Sequence, residues 1–251
     1  MKLGAQFYTL REKCKTPEEL RNTFGVMKEI GYQVVQISGV CDIEAERLRD
    51  ISEEFQLPIT CTHKPLDAFI NNTEELIEYH KIINCPVIGL GSMTLDYLES
   101  VEGAREFIKI METPIKKIMD AGMTFAYHNH HLEFVDLGGT DVYTILLEEA
   151  PDIHFIHDVY WTKYAGKDYL KYIKLIGEAN RMTNIHFKDM KNAPQGPICP
   201  CGEGVIDFAP IVKLCESVGI KYALVEQDNA PDLGDEYEQM KRSFDNLFPL
   251  F

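Results

Sequence analysis

Four short stretches rich in metal-ligand side chains sit at nearly even spacing in the second half of the chain. They are Tyr127-His128-Asn129-His130-His131, His157-Asp158-Val159-Tyr160-Trp161, Ile185-His186-Phe187-Lys188-Asp189 and Val225-Glu226-Gln227-Asp228. Each follows a short apolar run of strand character, at residues 123–127, 152–156, 182–185 and 221–225. From His128 to Asp158 is 30 residues, from Asp158 to His186 is 28, and from His186 to Glu226 is 40. A parallel barrel of eight strand–helix units spread over this length allots about 31 residues to each unit and gathers its strand ends in one ring. A His, an Asp, a His and a Glu at successive strand ends would converge on one point, and together they make a mixed nitrogen and oxygen ligand set for one divalent ion. The spacing reads as a metalloenzyme.

The elements that must position these groups can be followed from the start. Residues 3–8 read as the first strand. Thr16-Pro17-Glu18-Glu19 is a helix start, with Thr as N-cap, Pro at the first helical position and Glu19 closing a capping box. The apolar series Leu20, Phe24, Met27, Ile30 stops at Gly31, as expected of a C-terminal glycine. Further strands are expected at 32–37, 57–61 and 86–90. Helices are expected at 43–55, from about 73, and over 101–121 as a pair or one kinked at Pro114. More helices start near 140, 167, 207 and 236. Strands alternating with helices indicate a parallel α/β fold. No G-x-G-x-x-G follows the first strand, where an open dinucleotide-binding sheet would carry it. The expectation is a (β/α)8 TIM barrel, with eight parallel strands and outer helices, as a single domain over 1–251.

Bulk properties narrow the function. The net charge of −15, from 25 basic and 40 acidic residues, disfavours a nucleic-acid partner, which is held mainly through Lys and Arg. No apolar run is long enough for a membrane span. The first residues lack a charged segment followed by a long apolar one, so a cytoplasmic protein is expected. Seven scattered cysteines fit reduced thiols, and Cys199-Pro200-Cys201 reads as loop thiols, since no second pair would complete a metal clip. The charge balance suits an enzyme of small neutral metabolites, and a homo-oligomer is left open. Residues 190–205 hold Pro194, Gly196, Pro197, Pro200, Gly202 and Gly204 with little periodicity, which suggests a lid over the catalytic face.

Six ordered motifs carry a resemblance. Gly4-Ala5-Gln6-Phe7-Tyr8-Thr9-Leu10-Arg11, Tyr127-His128-Asn129-His130-His131-Leu132-Glu133-Phe134, Asp158-Val159-Tyr160-Trp161, His186-Phe187-Lys188-Asp189, Gly202-Glu203-Gly204-Val205-Ile206-Asp207 and Val225-Glu226-Gln227-Asp228 span nearly the whole chain. In this it resembles the sugar phosphate isomerase/epimerase family, the xylose isomerase-like TIM barrels of the AP-endonuclease-2 superfamily. The resemblance implies a divalent metal held at the ends of strands five to eight, and proton transfer beside the polarised carbonyl of a keto sugar. It matches Asp158, His186 and Glu226 to metal ligands. Where ketose epimerases have a glutamate that both binds metal and moves protons, this chain has His128. Trp161 and Asn192 stand where those enzymes place a His and an Arg. The strand-five motif is closer to inosose dehydratases and to relatives acting on keto-glycosides.

The remaining candidates divide by role. His128 is the first choice for the fourth ligand and His130 the second. Two residues apart on a strand, they share a face, and His130 is then expected to contact substrate. Glu226, His63 and Lys188 are the candidate catalytic groups: a buried carboxylate needs a partner, His63 follows strand three, and Lys188 shares a face with His186. Glu133, Trp161, Glu203 and Asp228 are candidate substrate contacts. For each a plainer reading competes: a solvated acid, a packed indole, a surface lysine. Asp158 could instead cap a helix, but Val159-Tyr160-Trp161 is bulky for a first turn. Two other classes stand beside the enzyme: a metal-assisted DNA phosphodiesterase, poor on charge and on ligand number, and a sugar-binding barrel without a base.

Overall fold

The structure, a computed structural model, describes residues 1–251. Eight parallel strands close into one barrel: β1 Lys2–Gln6, β2 Val34–Ile37, β3 Ile59–Lys64, β4 Val87–Leu90, β5 Thr124–His128, β6 His154–Asp158, β7 Met182–Phe187 and β8 Tyr222–Val225. Each pairs with its sequence neighbours, and β8 returns to β1 through Lys2↔Tyr222 and Ala5↔Val225. The strands are nearly continuous runs of buried residues because the barrel interior covers one face and the helices the other.

The helices follow their local signals. Thr16 caps Pro17–Ile30 with the reciprocal Thr16–Glu19 capping box, and Gly31 ends it with φ 117°. A side chain at Gly31 would also meet the Phe244 ring 2.6 Å from its Cβ. Ser100, Asp141, Asp168, Asp207 and Asp235 each cap a helix with a side-chain oxygen. The helix Val101–Asp120 passes through Pro114 as one element, so the expected pair is absent. The short helix Leu66–Asn71 lacks a side-chain cap and carried no start signal.

Strand ends depart from the periodicity in ways that matter for chemistry. β1 stops at Gln6, whose Oε1 accepts from the Tyr8 amide and turns Phe7–Lys13 into a 3-10 helix. β3 runs on to Lys64, so His63 lies in the barrel wall and not in the loop after it. β5 and β6 extend to His128 and Asp158, making both the last residues of their strands.

Candidate metal centre

The strand ladder itself gathers the four groups. Asp158 on β6 pairs with His186 on β7, and His186 pairs with Leu224, two residues before Glu226. His128 pairs with Ile156, two residues before Asp158. Barrel stagger thus aligns four side chains from different rungs. One ligand atom from each of His128, Asp158, His186 and Glu226 lies within 4.8 Å of all the others, and all four residues are buried.

Hydrogen bonds orient the two imidazoles. His128 Nδ1 donates to the Gly91 carbonyl at 3.1 Å, leaving Nε2 toward Asp158 Oδ2 at 3.4 Å. His186 Nε2 donates to Gln36 Oε1 at 2.7 Å, which leaves a lone pair on Nδ1. That atom lies 2.9 Å from Glu226 Oε2. Although close, His186 Nδ1 and Glu226 Oε2 are both buried without a hydrogen-bond partner of acceptable geometry. The Lys188 ammonium answers Glu226 Oε2 from 3.0 Å, and a further cation shared with His186 Nδ1 would satisfy the imidazole lone pair as well. A carbonyl or amide oxygen fixing the far nitrogen is the arrangement that metal-binding histidines use.

Charge gives the same answer. Lys188 Nζ, buried beneath the cluster, lies 3.3 Å from Asp158, 3.0 Å from Glu226 and 3.1 Å from Asp228. Against the three carboxylates Asp158, Glu226 and Asp228 stands one ammonium, so the cluster carries an excess of negative charge that suits a bound cation. Burial works against both charged carboxylates, but Lys188 together with His128 holds Asp158 below the usual carboxylate range. Lys188 and His186 do the same for Glu226. Burial opposes the Lys188 charge, yet Asp158, Asp228 and Glu226 push its pKa well above 10.5. Asp228 goes the other way: burial, aided by the nearby Glu226 charge, raises it despite Lys188. Burial lowers His186, which keeps its Nδ1 unprotonated. For His128 burial is outweighed by the Asp158 hydrogen bond and charge, so its pKa is raised.

A cavity of about 460 Å³ opens above the cluster, lined by His63, His128, His130, Lys188, Glu226 and Asp228 among others. The His63 ring is 5.1 Å from that of His128 and 5.7 Å from that of His186. Its Nε2 is buried with no partner. Burial, then the neighbouring His128 and His186, hold His63 well below 6.5 and therefore neutral. His130 packs edge-on to His128 at 4.7 Å, and burial, with His128 and Lys188 nearby, lowers its pKa to about 3.

Several expected roles are corrected. Asp158 does cap a helix: its Oδ1 accepts from the Trp161 amide at 2.9 Å while Oδ2 faces the cluster, and Val159–Tyr164 folds despite its bulk because Val159 and Tyr160 are buried. Glu133 does not line the cavity above the cluster. It is 1 % exposed, accepts from the Tyr127 hydroxyl and the His130 amide, and so holds the turn that presents His130. Glu203 is engaged by Arg242, with Lys191 3.8 Å away, and does not reach the cluster. Trp161 packs behind the cavity wall, stacked on His131 and 5.3 Å from Lys188 Nζ. Cys199 and Cys201 are free thiols, as expected, and both are buried.

The segment expected to form a lid is pinned instead. Asp189–Met190 pairs with Ile198–Cys199 as an antiparallel ribbon. The buried Asp189 carboxylate accepts from the amides of Met190, Gly202, Gly204 and Ile206 at 2.8–3.0 Å. A Cβ at Gly204 would sit 2.4 Å from Asp189 Oδ1, so only glycine allows this approach. None of residues 190–205 lines the cavity. Gln36 and Gly91 carried no motif. The signal for Gln36 was its place as the one polar residue in the apolar Val34–Ile37 strand.

No helix is long and apolar enough to cross a membrane. A sugar phosphate isomerase/epimerase from Parabacteroides distasonis superposes with a TM-score of 0.80 at 20% identity, covering 99% of this chain and 95% of that one. The probable 3-DHS dehydratase AsbF from Bacillus anthracis gives 0.76 at 13%, covering 99% of each chain. The IolI protein, solved with a bound zinc atom, gives 0.74 at 12%, covering 100% of this chain and 98% of that one. At such identities the likeness is one of fold. No curated protein matches. The family model for the xylose isomerase-like TIM barrel matches residues 24–247. The chain belongs to the xylose isomerase-like TIM barrel family.

Proposed function

We propose that this chain is a divalent-metal-dependent enzyme that moves a proton next to the carbonyl of a keto sugar or polyol-derived ketone. The observation that supports this is the buried four-residue ligand set, within which His186 Nδ1 faces Glu226 Oε2 at 2.9 Å with no hydrogen bond of acceptable geometry between them. His128, Asp158, His186 and Glu226 would hold the ion, and Mn, Zn, Co and Mg all accept such donors. When bound, it would supply Lewis-acid polarisation of the carbonyl and a template for adjacent oxygens.

The chain's own groups supply the proton chemistry. With Glu226 committed to the ion, His63 is the base: neutral, unpartnered at Nε2 and in the cavity wall. Its Nε2 takes the proton from the carbon beside the carbonyl, and the carbon's electron pair moves into the new carbon–carbon double bond. The oxygen that gains charge is met by the Lys188 ammonium, fixed by Asp158, Glu226 and Asp228. His130 and Asp228, which both line the cavity, contact substrate hydroxyls. Return of the proton gives isomerisation or epimerisation, the first reading. Loss of a neighbouring hydroxyl gives a dehydratase or keto-glycoside lyase, the second. The presence of His128 where ketose epimerases have a glutamate favours the second: a neutral ligand leaves more positive charge to assist a departing hydroxide.

Incubation in deuterated water with metal and either an inosose, a keto-glycoside or a free ketohexose tests the reading. Exchange is expected on the cyclic ketones. Exchange on the free ketohexose alone would overturn the cyclic-ketone assignment. Metal uptake without exchange on any ketone would favour a binding barrel.

A further inference from the structure

The pairing of β5 with β6 ends at His128↔Ile156, so Asp158, two residues further along β6, lies beyond the last paired residue of β5. A side chain takes over from the backbone there. Asn129 is fully buried and does not line the cavity, and its Oδ1 accepts from the Asp158 amide at 3.0 Å. Thr162, also fully buried, grips the other end of the same residue: its Oγ1 donates to the Asp158 carbonyl at 2.7 Å. A hydroxyl has a single proton, so toward its other neighbours Thr162 Oγ1 is an acceptor. It accepts from Asn129 Nδ2 at 3.4 Å, which fixes Oδ1 as the amide atom facing Asp158.

The Asp158 carboxylate is divided between two tasks. Oδ1 accepts from the Trp161 amide as a helix N-cap, and Oδ2 faces His128 Nε2 at 3.4 Å and Lys188 Nζ at 3.3 Å. The division requires the Asp158 main chain to keep φ −102° and ψ 117°, extended just ahead of the first helical turn. Asn129 holds the amide and Thr162 the carbonyl on either side of those two torsions. The task needs one acceptor and one donor on a short side chain. Aspartate would bring two acceptors and a charge beside Asp158, and an apolar residue would bring neither.

We propose that Asn129, acting with Thr162, is a positioning residue of the metal centre. It ties the strand ends that carry His128 and Asp158 into one unit and confines Asp158 to Oδ2 as its only ligand atom. This rests on the metal-centre reading and adds a consequence for substrate. Binding by one carboxylate oxygen leaves a coordination position for a substrate oxygen that binding by both would fill.

Zinc affinity measured by chelator competition and the visible spectrum of the cobalt-substituted protein, which responds to coordination number, give readouts that need no turnover. Asn129→Ala should lower zinc affinity about 10- to 100-fold, the usual effect of removing a group that orients a ligand. Its cobalt bands should weaken as Asp158 turns to bind through both oxygens. Thr162→Val should move both readouts in the same direction, whereas Thr162→Ser, which keeps the hydroxyl, should match the parent. Because the pair grips one residue, the double variant should lose less than the product of the two separate losses. Urea unfolding of the metal-free proteins runs alongside, since losing a buried hydrogen bond lowers stability whatever its role. Lower urea midpoints with parental zinc affinity and cobalt spectrum would overturn the proposal and leave Asn129 a folding residue. Should Asn129→Ala fail to fold, equal zinc affinity in Thr162→Val and Thr162→Ser would overturn it alone. A parent that binds no zinc would overturn the metal centre itself, and the assignment of Asn129 falls with it.

Discussion

Gln36 reaches across the barrel from β2 to His186 on β7, 150 residues away in sequence, and its Oε1 accepts from His186 Nε2 at 2.7 Å. This one contact decides which nitrogen of His186 is free. Replacing it in Gln36→Leu keeps the side-chain volume and removes the acceptor. Metal affinity should fall about 10- to 100-fold while the barrel stays folded. Titration with zinc in a competing chelator measures this; unchanged affinity would mean that Gln36 does not orient the ligand.

His63→Gln should retain metal and lose proton exchange by roughly 10²- to 10⁴-fold, the usual worth of a positioned general base. Exchange rates measured by NMR in deuterated water, alongside elemental analysis of the same sample, separate the two effects. A variant with full exchange would assign the base elsewhere.

Asp189 should prove to be a folding residue. Asp189→Asn places an amide group among four backbone donors and should cost about 3 kcal/mol, since buried charged acceptors are expensive to lose. Urea unfolding would show this as a lower midpoint. The segment 190–205 was expected to act as a lid because proline and glycine broke its periodicity. Those residues instead serve close approach to a buried carboxylate, which no local pattern reveals.

His80, which is not part of the ligand cluster, should contribute to acid sensitivity. It is buried between Thr62 Oγ1 at 2.7 Å and the Leu76 carbonyl at 2.6 Å, and burial lowers its pKa from 6.5 to about 4. The unfolded chain therefore binds a proton more readily than the folded one between these values. The stability tied to neutral His80 is complete above pH 6.5 and is lost as pH falls toward 4, about 3 kcal/mol in all. His80→Gln should flatten the dependence of unfolding free energy on pH over this window. An identical slope in the variant would contradict the assignment.

The contrast between what sequence reveals and what it hides has a physical basis. His128, Asp158, His186 and Glu226 were legible because a parallel barrel repeats strand ends at a regular interval, so spacing alone brings them together. Gln36 was not, because its partner His186 lies across the barrel. Glu133 and Glu203 looked like pocket acids only because a sequence does not show that Tyr127 and Arg242 already occupy them. Asp158 looked like a choice between cap and ligand, yet a carboxylate has two oxygens and the strand end uses both.

Metal content of the purified protein and of His186→Ala and Glu226→Ala tests the central claim most directly. Elemental analysis after incubation with excess zinc and desalting should find one ion per chain in the parent. Both variants should lose most of it while keeping a native circular-dichroism spectrum. Undiminished metal in both variants would contradict the four-residue centre on which the rest of the account stands.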